Sequence, residues 1–390
     1  MQQEQLFERA SGPRIAIVAG EASGDLLGAS LVAAIKRRLP DAQFAGIAGP
    51  QMQAEGVKSI CAMERLSVMG YVEVLKHLPS LLRLRRDLKK RLLRERPDVF
   101  IGVDAPDFNF SIEKTMRSAG IPSLHYISPS IWAWRPKRIN KIRKSSSEVL
   151  CVFPFEKPIY DRAGLKASYV GHPVADEMPV VVKQHEVREL IGVGAQQKVL
   201  AFLPGSRQSE VARHAELFIQ TAKMICATWP TAQILVPLVT RETRVLFENA
   251  IYAHKAQDLP IRMMFGHAQE AMQAADAILV ASGTATLEAM LAKRPMVVTY
   301  KLSPTTYRMA KRKMLLPYVS LPNVLAGEFI VPEFIQDDAT PENLYQALRN
   351  ALEDRTYAAK LEARFTELHQ SLKQNAAERA ADAVLAWIRR

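Results

Sequence analysis

Four short turns, each following an apolar run of strand length, carry side chains able to do chemistry. The first, Gly20-Glu21-Ala22-Ser23-Gly24-Asp25, has glycines that permit a tight turn and close approach to a ligand. It is not a G-x-G-x-x-G fingerprint and lacks the lysine of a P-loop. A plain strand-to-helix turn capped by Ser23 or Asp25 fits it as well. The second, Asp104-Ala105-Pro106-Asp107-Phe108-Asn109, puts a carboxylate at the end of a central strand, able to take a proton from a substrate hydroxyl. Either aspartate could instead cap the next helix. The third, Pro204-Gly205-Ser206-Arg207, joins a helix N-terminus to a cation whose planar fork fits phosphate oxygens. The fourth, Ser282-Gly283-Thr284-Ala285-Thr286-Leu287-Glu288, opens a helix with small hydroxyl residues. Its Glu288, elsewhere a surface residue, could accept hydrogen bonds from ribose hydroxyls. Two phosphate-suited turns in the second half point to a bound nucleoside diphosphate.

The elements that must hold these turns are strands alternating with helices. Arg14–Ala19, Gln43–Ile47, 98–103, 123–127 and 149–153 read as strands in the first half. In the second half, 198–203, Gln233–Leu238, Ile261–Phe265, Ala277–Ala281 and Met296–Tyr300 do so. Such alternation implies βαβ units and parallel sheets. The expected fold is α/β, with two doubly wound, Rossmann-like domains facing a cleft, and ligands at the carboxyl ends of the strands. Periodicity fails over 171–184, which sets expected domains of 1–178 and 179–340. Thr340 and Pro341 then open a helical segment, 341–390, expected to pack back on the domains or on a partner subunit, the latter giving a homodimer.

Composition narrows the classes. The 390 residues carry 52 Lys plus Arg against 40 Asp plus Glu, a formal charge of +12, so an anionic partner is expected. No run approaches the ~20 apolar residues of a spanning helix, and the opening residues lack a secretory pattern. Three dispersed cysteines (Cys61, Cys151, Cys226) fit reduced thiols in the cytosol. No Cys or His spacing supports a metal, and no cofactor is expected.

Two basic segments stand apart. Val68, Met69, Val72 and Leu75 lie in a dense apolar stretch that leads into a leucine-and-arginine helix ending near Arg94. Residues 68–82 read as a surface for an anionic membrane and acyl chains, and the later half as a helix packing its leucines inward. Trp132 and Trp134 are interleaved with Arg135, Lys137 and Arg138, and Lys141, Arg143 and Lys144 follow. That patch could stack nucleic-acid bases, could equally bind a phosphosugar, or is a solvated basic helix beside a core tryptophan. No nucleic-acid fold motif accompanies it, so nucleic acid is not an expected partner.

Taken in order, VAGEASGD, AGPQMQAEGV, GVDAPDFN, HYISPSIWAWRPKRI, PFE, LPGSR, LVASGTATLE and VSLPNVLAG resemble the lipid-A-disaccharide synthases of Gram-negative bacteria, and ELHQ in the tail fits the same pattern. The resemblance implies a metal-independent, inverting GT-B glycosyltransferase, cytoplasmic and peripheral on the inner membrane. It would move 2,3-diacylglucosamine from its UDP derivative to the 6-hydroxyl of 2,3-diacylglucosamine 1-phosphate. On that pattern Asp104 is the base, with Glu21 and Ser23 beside it. Arg207, Ser206, Ser282, Gly283, Thr284, Glu288 and Asn323 form the UDP-sugar site. The rival expectations are another GT-B enzyme using UDP-N-acetylglucosamine, whether a 2-epimerase or a lipid-linked transferase, and a non-enzymatic basic protein binding membrane or nucleic acid.

Overall fold

The computed structural model describes residues 5–8, 12–66 and 71–388. The chain divides into two units, residues 1–176 with 372–390, and residues 177–371.

The first unit is built on a parallel sheet of seven strands, β1 Arg14–Ala19, β2 Gln43–Ile47, β3 Lys58–Ser59, β4 Val99–Val103, β5 Ser123–Tyr126, β6 Glu148–Cys151 and β7 Ala167–Tyr169, in the order β3-β2-β1-β4-β5-β6-β7. β1 and β4 are buried along nearly their whole length, as a sheet covered by helices on both faces requires. Register runs Val18 beside Gly102 and Ala19 beside Val103, so the turns after β1 and β4 emerge side by side.

The second unit repeats the plan with six parallel strands: β8 Val199–Leu203, β9 Gln233–Leu238, β10 Ile261–Phe265, β11 Ala277–Ala281, β12 Met296–Tyr300 and β13 Glu333–Ile335. Their order is β10-β9-β8-β11-β12-β13. Here Leu203 lies beside Val280, again bringing two turns together. The core gathers Phe202, Phe218, Ile234, Phe247 and Leu279 under the covering helices.

In each sheet the strand order reverses once, between β1 and β4 and between β8 and β11. At such a switch point the helices leave toward opposite faces, and the turns between them open a ligand-sized crevice. All four turns singled out from the sequence lie at these two points.

The helices after residue 340 are divided between the units. Pro341–Glu353, capped by Thr340, and Arg355–Leu372 follow β13, and Leu344 and Leu348 join the second unit's core. Ala376–Ile388 packs on Ala22–Arg38 in the first unit. The Asp176 carboxylate accepts from the N–H groups of Asn375 (3.0 Å) and Ala376 (2.6 Å), capping that last helix. Trp387 then donates its indole N–H to buried Glu148 at 2.7 Å.

Among the described residues no helix is long and apolar enough to cross a membrane. In the helix Tyr71–Glu95, Leu88 and Leu92 are buried while Leu78 and Leu82 are exposed. Val68 and Met69 lie outside the described residues, as do the side chains of Val72 and Leu75.

Candidate active site

In the first unit the turn after β4 is strained. Asp104 and Ala105 both have left-handed backbones, φ +49° and +42°, and neither is a glycine. Each such residue costs on the order of 1 kcal/mol or more and persists only where neighbours hold it. Here the Asp104 N–H donates to the Tyr126 carbonyl at 2.9 Å. Fully buried Asn109 donates to the carbonyls of Asp104 (2.8 Å) and Val18 (3.3 Å), fastening the ends of β4 and β1 together. The Asp104 carboxylate itself is half-buried and has no partner among the described residues. Neither Asp104 nor Asp107 caps the helix Pro106–Ser118, whose N-terminal cap is Ala105 with no side-chain bond. Asp107 instead accepts from the Arg138 guanidinium.

The neighbouring turn after β1 passes so close that a Cβ on Gly20 would sit 2.8 Å from the Ala105 methyl. Glu21 and Ser23 are exposed there, and Glu21 caps the helix Ala22–Arg38 through its backbone alone. Asp25 does not cap its own helix either. Its buried carboxylate accepts from the N–H groups of Gly49 (2.9 Å), Gln51 (2.8 Å) and Met52 (3.1 Å), capping the short helix Pro50–Ala54. The GEASGD and AGPQM segments are thus two halves of one structural joint.

In the second unit Gly205 has φ +127°, and a Cβ there would lie 2.5 Å from Glu210 Cβ. Glu210 reaches back to accept from the N–H groups of Ser206 (3.1 Å) and Arg207 (3.3 Å). Those two amides are therefore taken by an internal carboxylate. What this turn offers a ligand is the Ser206 hydroxyl and the Arg207 guanidinium, 65% exposed and 3.9 Å from Glu210. Fully buried His214 braces the same turn. Its Nε2 accepts from the Lys301 N–H at 3.0 Å, so its proton is on Nδ1, donated to the Glu210 carbonyl at 2.8 Å. Burial lowers its pKa, consistent with the neutral ring this bonding needs.

Beside it, the turn after β11 leaves Gly283 and Thr284 exposed. Ser282 donates its hydroxyl to the Val319 carbonyl at 3.2 Å, and Thr286 accepts from the Leu321 N–H at 3.2 Å. The VSLPN segment is therefore tied directly to this turn. Glu288 follows, and burial raises its carboxyl pKa with no cation beside it among the described residues. A carboxylate desolvated without a partner fits a group that a ligand hydroxyl completes.

Asn323, expected to contact the nucleotide, does something else. It is fully buried, and its amide is spent. Nδ2 donates to the Val331 carbonyl (2.9 Å) and Glu333 (2.8 Å), while Oδ1 accepts from the N–H groups of Ile330 (2.8 Å) and Val331 (3.0 Å). No bonding capacity remains for a ligand. Its role is to hold the loop that braces Ser282 and Thr286.

Several buried polar groups escaped the sequence reading. Glu113 accepts from the Ser146 hydroxyl and pairs with His125 Nδ1 at 2.7 Å behind the Asp104 turn. A Cβ on Gly102 would meet Glu113 at 2.4 Å, so the glycine in GVDAP makes room for that carboxylate. Glu156 of PFE accepts from Trp132 Nε1 (3.2 Å) and the Phe153 N–H (3.1 Å). Lys293 donates to His369 Nδ1 at 2.7 Å, which gives the ELHQ histidine a structural purpose. No local pattern marks such residues, because most of their partners come from distant segments.

Residues 15–385 match the family model described as lipid-A-disaccharide synthetase. A lipid-A-disaccharide synthase of Methylobacillus flagellatus is 54% identical over 377 residues, spanning 97% of this chain and 100% of that one. Another, from Dechloromonas aromatica, is 55% identical and spans 96% and 98%. Among solved structures, the UDP-GlcNAc 2-epimerase of Neisseria meningitidis bound to UDP-GlcNAc has a TM-score of 0.64 at 13% identity, covering 96% of this chain and 98% of its own. The calicheamicin glycosyltransferase CalG4 has 0.60 at 14%, covering 98% and 99%. At these identities the likeness is of fold alone, the two-sheet GT-B architecture. With a family match across both sheets and relatives more than half identical over nearly their whole length, the chain belongs to the lipid-A-disaccharide synthase family.

Proposed function

We propose that this glycosyltransferase moves 2,3-diacylglucosamine from its UDP derivative to the 6-hydroxyl of 2,3-diacylglucosamine 1-phosphate, releasing UDP. Asp104 takes the hydroxyl proton as the acceptor oxygen attacks C1 of the donor sugar, and the C1–O bond breaks with its electron pair leaving on UDP. A single displacement of this kind inverts the anomeric centre and needs one base. Arg207 faces the charge that grows on the leaving diphosphate, with Ser206, Ser282, Gly283 and Thr284 around it and Glu288 on the ribose. Glu21 and Ser23, on the turn packed against Ala105, position the acceptor. The observation that carries this reading is the Asp104 carboxylate, without a partner among the described residues and held on two left-handed residues at the switch point of the first sheet. Because both substrates are acylated, the protein works at the cytoplasmic face of the inner membrane, where the net charge of +12 suits an anionic leaflet.

The test is UDP release from the purified protein. Release should require both acylated substrates together, and UDP-N-acetylglucosamine alone should yield neither UDP nor an epimer. Asp104→Asn should keep UDP affinity while turnover falls by about 10²–10⁴-fold. A loss under tenfold in a folded variant would place the base elsewhere.

A further inference from the structure

On the first unit, three helices line an open basic hollow of about 560 Å³. Arg85 contributes from Tyr71–Glu95, Lys114 from Pro106–Ser118, and Lys137, Lys141 and Lys144 from the segment after Trp134. None of these five cations has a carboxylate partner among the described residues. The one acid on the wall, Asp107, is already bonded to Arg138. Cations gathered this way repel one another across the hollow, and an anion of high charge density would relieve that. Lys89 lies beside the group, donating to Ser111 at 2.7 Å. Its pKa is lowered by burial and by the charges of Arg85 and Lys114.

Two features identify the anion. The volume falls in the range of small-molecule sites, a local hollow rather than an extended nucleic-acid track. The exposed tryptophan nearby, Trp134, is no free stacking platform, since the Arg135 guanidinium sits 3.8 Å from its ring centre. Along the helix Tyr71–Glu95, Leu78, Leu82, Arg85 and Lys89 follow i, i+4, i+7, i+11 and so form one stripe. It begins with two exposed leucines and ends in the cations. A molecule with acyl chains at one end and a phosphate at the other matches that stripe. The wall of the hollow comes within three residues of Asp104, since it includes Asp107 in the first turn of Pro106–Ser118, whose carbonyl accepts from Arg85 at 3.2 Å.

We propose that the hollow formed by Arg85, Lys114, Lys137, Lys141 and Lys144 binds the phosphomonoester of the acceptor, with its acyl chains running toward Leu78 and Leu82. This rests on the acceptor assigned above, so its test must be able to fail separately. The variant is Lys141→Ala with Lys144→Ala, both exposed helical residues, and Lys141→Arg with Lys144→Arg is the charge-keeping control. The first measurement needs no turnover: phosphorus NMR titration with glucosamine 1-phosphate. Wild type should bind it, the alanine pair should weaken binding about ten- to hundredfold, and the arginine pair should keep it. The second compares 2,3-diacylglucosamine 1-phosphate with the same acceptor lacking phosphate. Wild type should favour the phosphorylated acceptor about ten- to hundredfold in kcat/KM, and the alanine pair should lose that preference with the donor KM unchanged. The third is flotation on phosphatidylglycerol vesicles, which the alanine pair should leave intact. Undiminished glucosamine 1-phosphate binding in the alanine pair, or a kept preference, overturns the proposal. Loss confined to flotation assigns the cations to the leaflet and overturns it too, as does tighter binding of single-stranded nucleic acid than of the sugar phosphate. Phosphate binding without any turnover would refute the acceptor assignment alone.

Discussion

Glu156→Gln should change how stability depends on pH, in a direction the structure fixes. The Glu156 carboxyl is 1% exposed, and burial raises its pKa from 4.5 to about 7 against the opposing bonds from Phe153 and Trp132. The folded state therefore keeps a proton that the unfolded chain has already released, and stability falls as pH rises between these values. Integrated from 4.5 to about 7 at about 1.4 kcal/mol per pH unit, the loss is about 3 kcal/mol. His172, tilted against Phe153 with ring centres 5.3 Å apart, works in the opposite sense. Burial lowers its pKa from 6.5 to about 4, so its contribution is complete above 6.5 and is lost as pH drops toward 4. Between about 4.5 and 6.5 the two slopes cancel in the wild type, because the folded and unfolded pair hold the same number of protons. Removing the Glu156 titration uncovers the histidine. The stability of the Gln variant relative to wild type should rise by about 3 kcal/mol between pH 4.5 and 7.5. The amides of β6 lie in the same unit, so their hydrogen exchange, measured on both proteins across that range, reports its opening energy. A difference that stays constant with pH would show that Glu156 titrates as an ordinary carboxyl, and the burial argument would be wrong.

The remaining predictions concern separate parts of the molecule. Arg207→Ala should weaken UDP affinity about ten- to hundredfold and slow turnover with it, leaving the melt unchanged because the side chain is 65% exposed; Lys should rescue only part. An effect on acceptor affinity alone would mean the guanidinium serves the other substrate. Asn323→Ala should behave as a stability mutant, costing about 2–4 kcal/mol by orphaning the N–H groups of Ile330 and Val331. An unaltered melt with a tenfold loss of UDP affinity would return Asn323 to the binding site. Replacing Val68, Met69, Val72 and Leu75 together with Ser should free the protein from vesicles at ionic strengths that screen Arg83 and Arg86, with a cooperative melt retained. Loss of that melt would assign the four residues to the core.

The strands were legible because each central one is an apolar run with helices on either side. β1, β2, β9, β10, β11 and β12 begin and end where the sequence placed them. β3, β7 and β13 were not, since two or three residues leave no periodicity to read, and all three lie at sheet edges where partial exposure dilutes the apolar signal. The four turns were legible for the same reason as the strands they follow. Roles within them were less so. Asn323 illustrates the limit: an asparagine in a loop suits a ligand or a backbone clamp equally, and only the fold reveals Val331 and Glu333 around it. Asp25 likewise has the position of a first-turn cap but serves a helix that begins at Pro50. The buried pairs are less accessible still, with Lys293 and His369 separated by 76 positions and Glu148 and Trp387 by 239.

The two switch points reach a common arrangement by different local means. In the first, a buried asparagine, Asn109, donates to carbonyls at the ends of both flanking strands and holds a strained turn. In the second, Glu210 and His214 brace one turn, while Asn323 and Glu333 brace the loop that steadies the other. In both, the polar groups with the most internal bonds are buried or partly buried. The groups suited to reaction or binding, Asp104, Arg207 and Glu288, make few or none. This division has an energetic reason. A carboxylate or guanidinium already satisfied by the protein must break those bonds before meeting substrate, which subtracts from the binding energy. One held by its backbone and left unsatisfied meets substrate without that cost, and its desolvation is offset by the rest of the fold. The strain at Asp104 and Ala105 follows the same logic, since a relaxed helix start at this point would aim the carboxylate along the helix Pro106–Ser118 as a cap. With the left-handed pair in place that capping bond is absent, and the carboxylate is left uncommitted among the described residues.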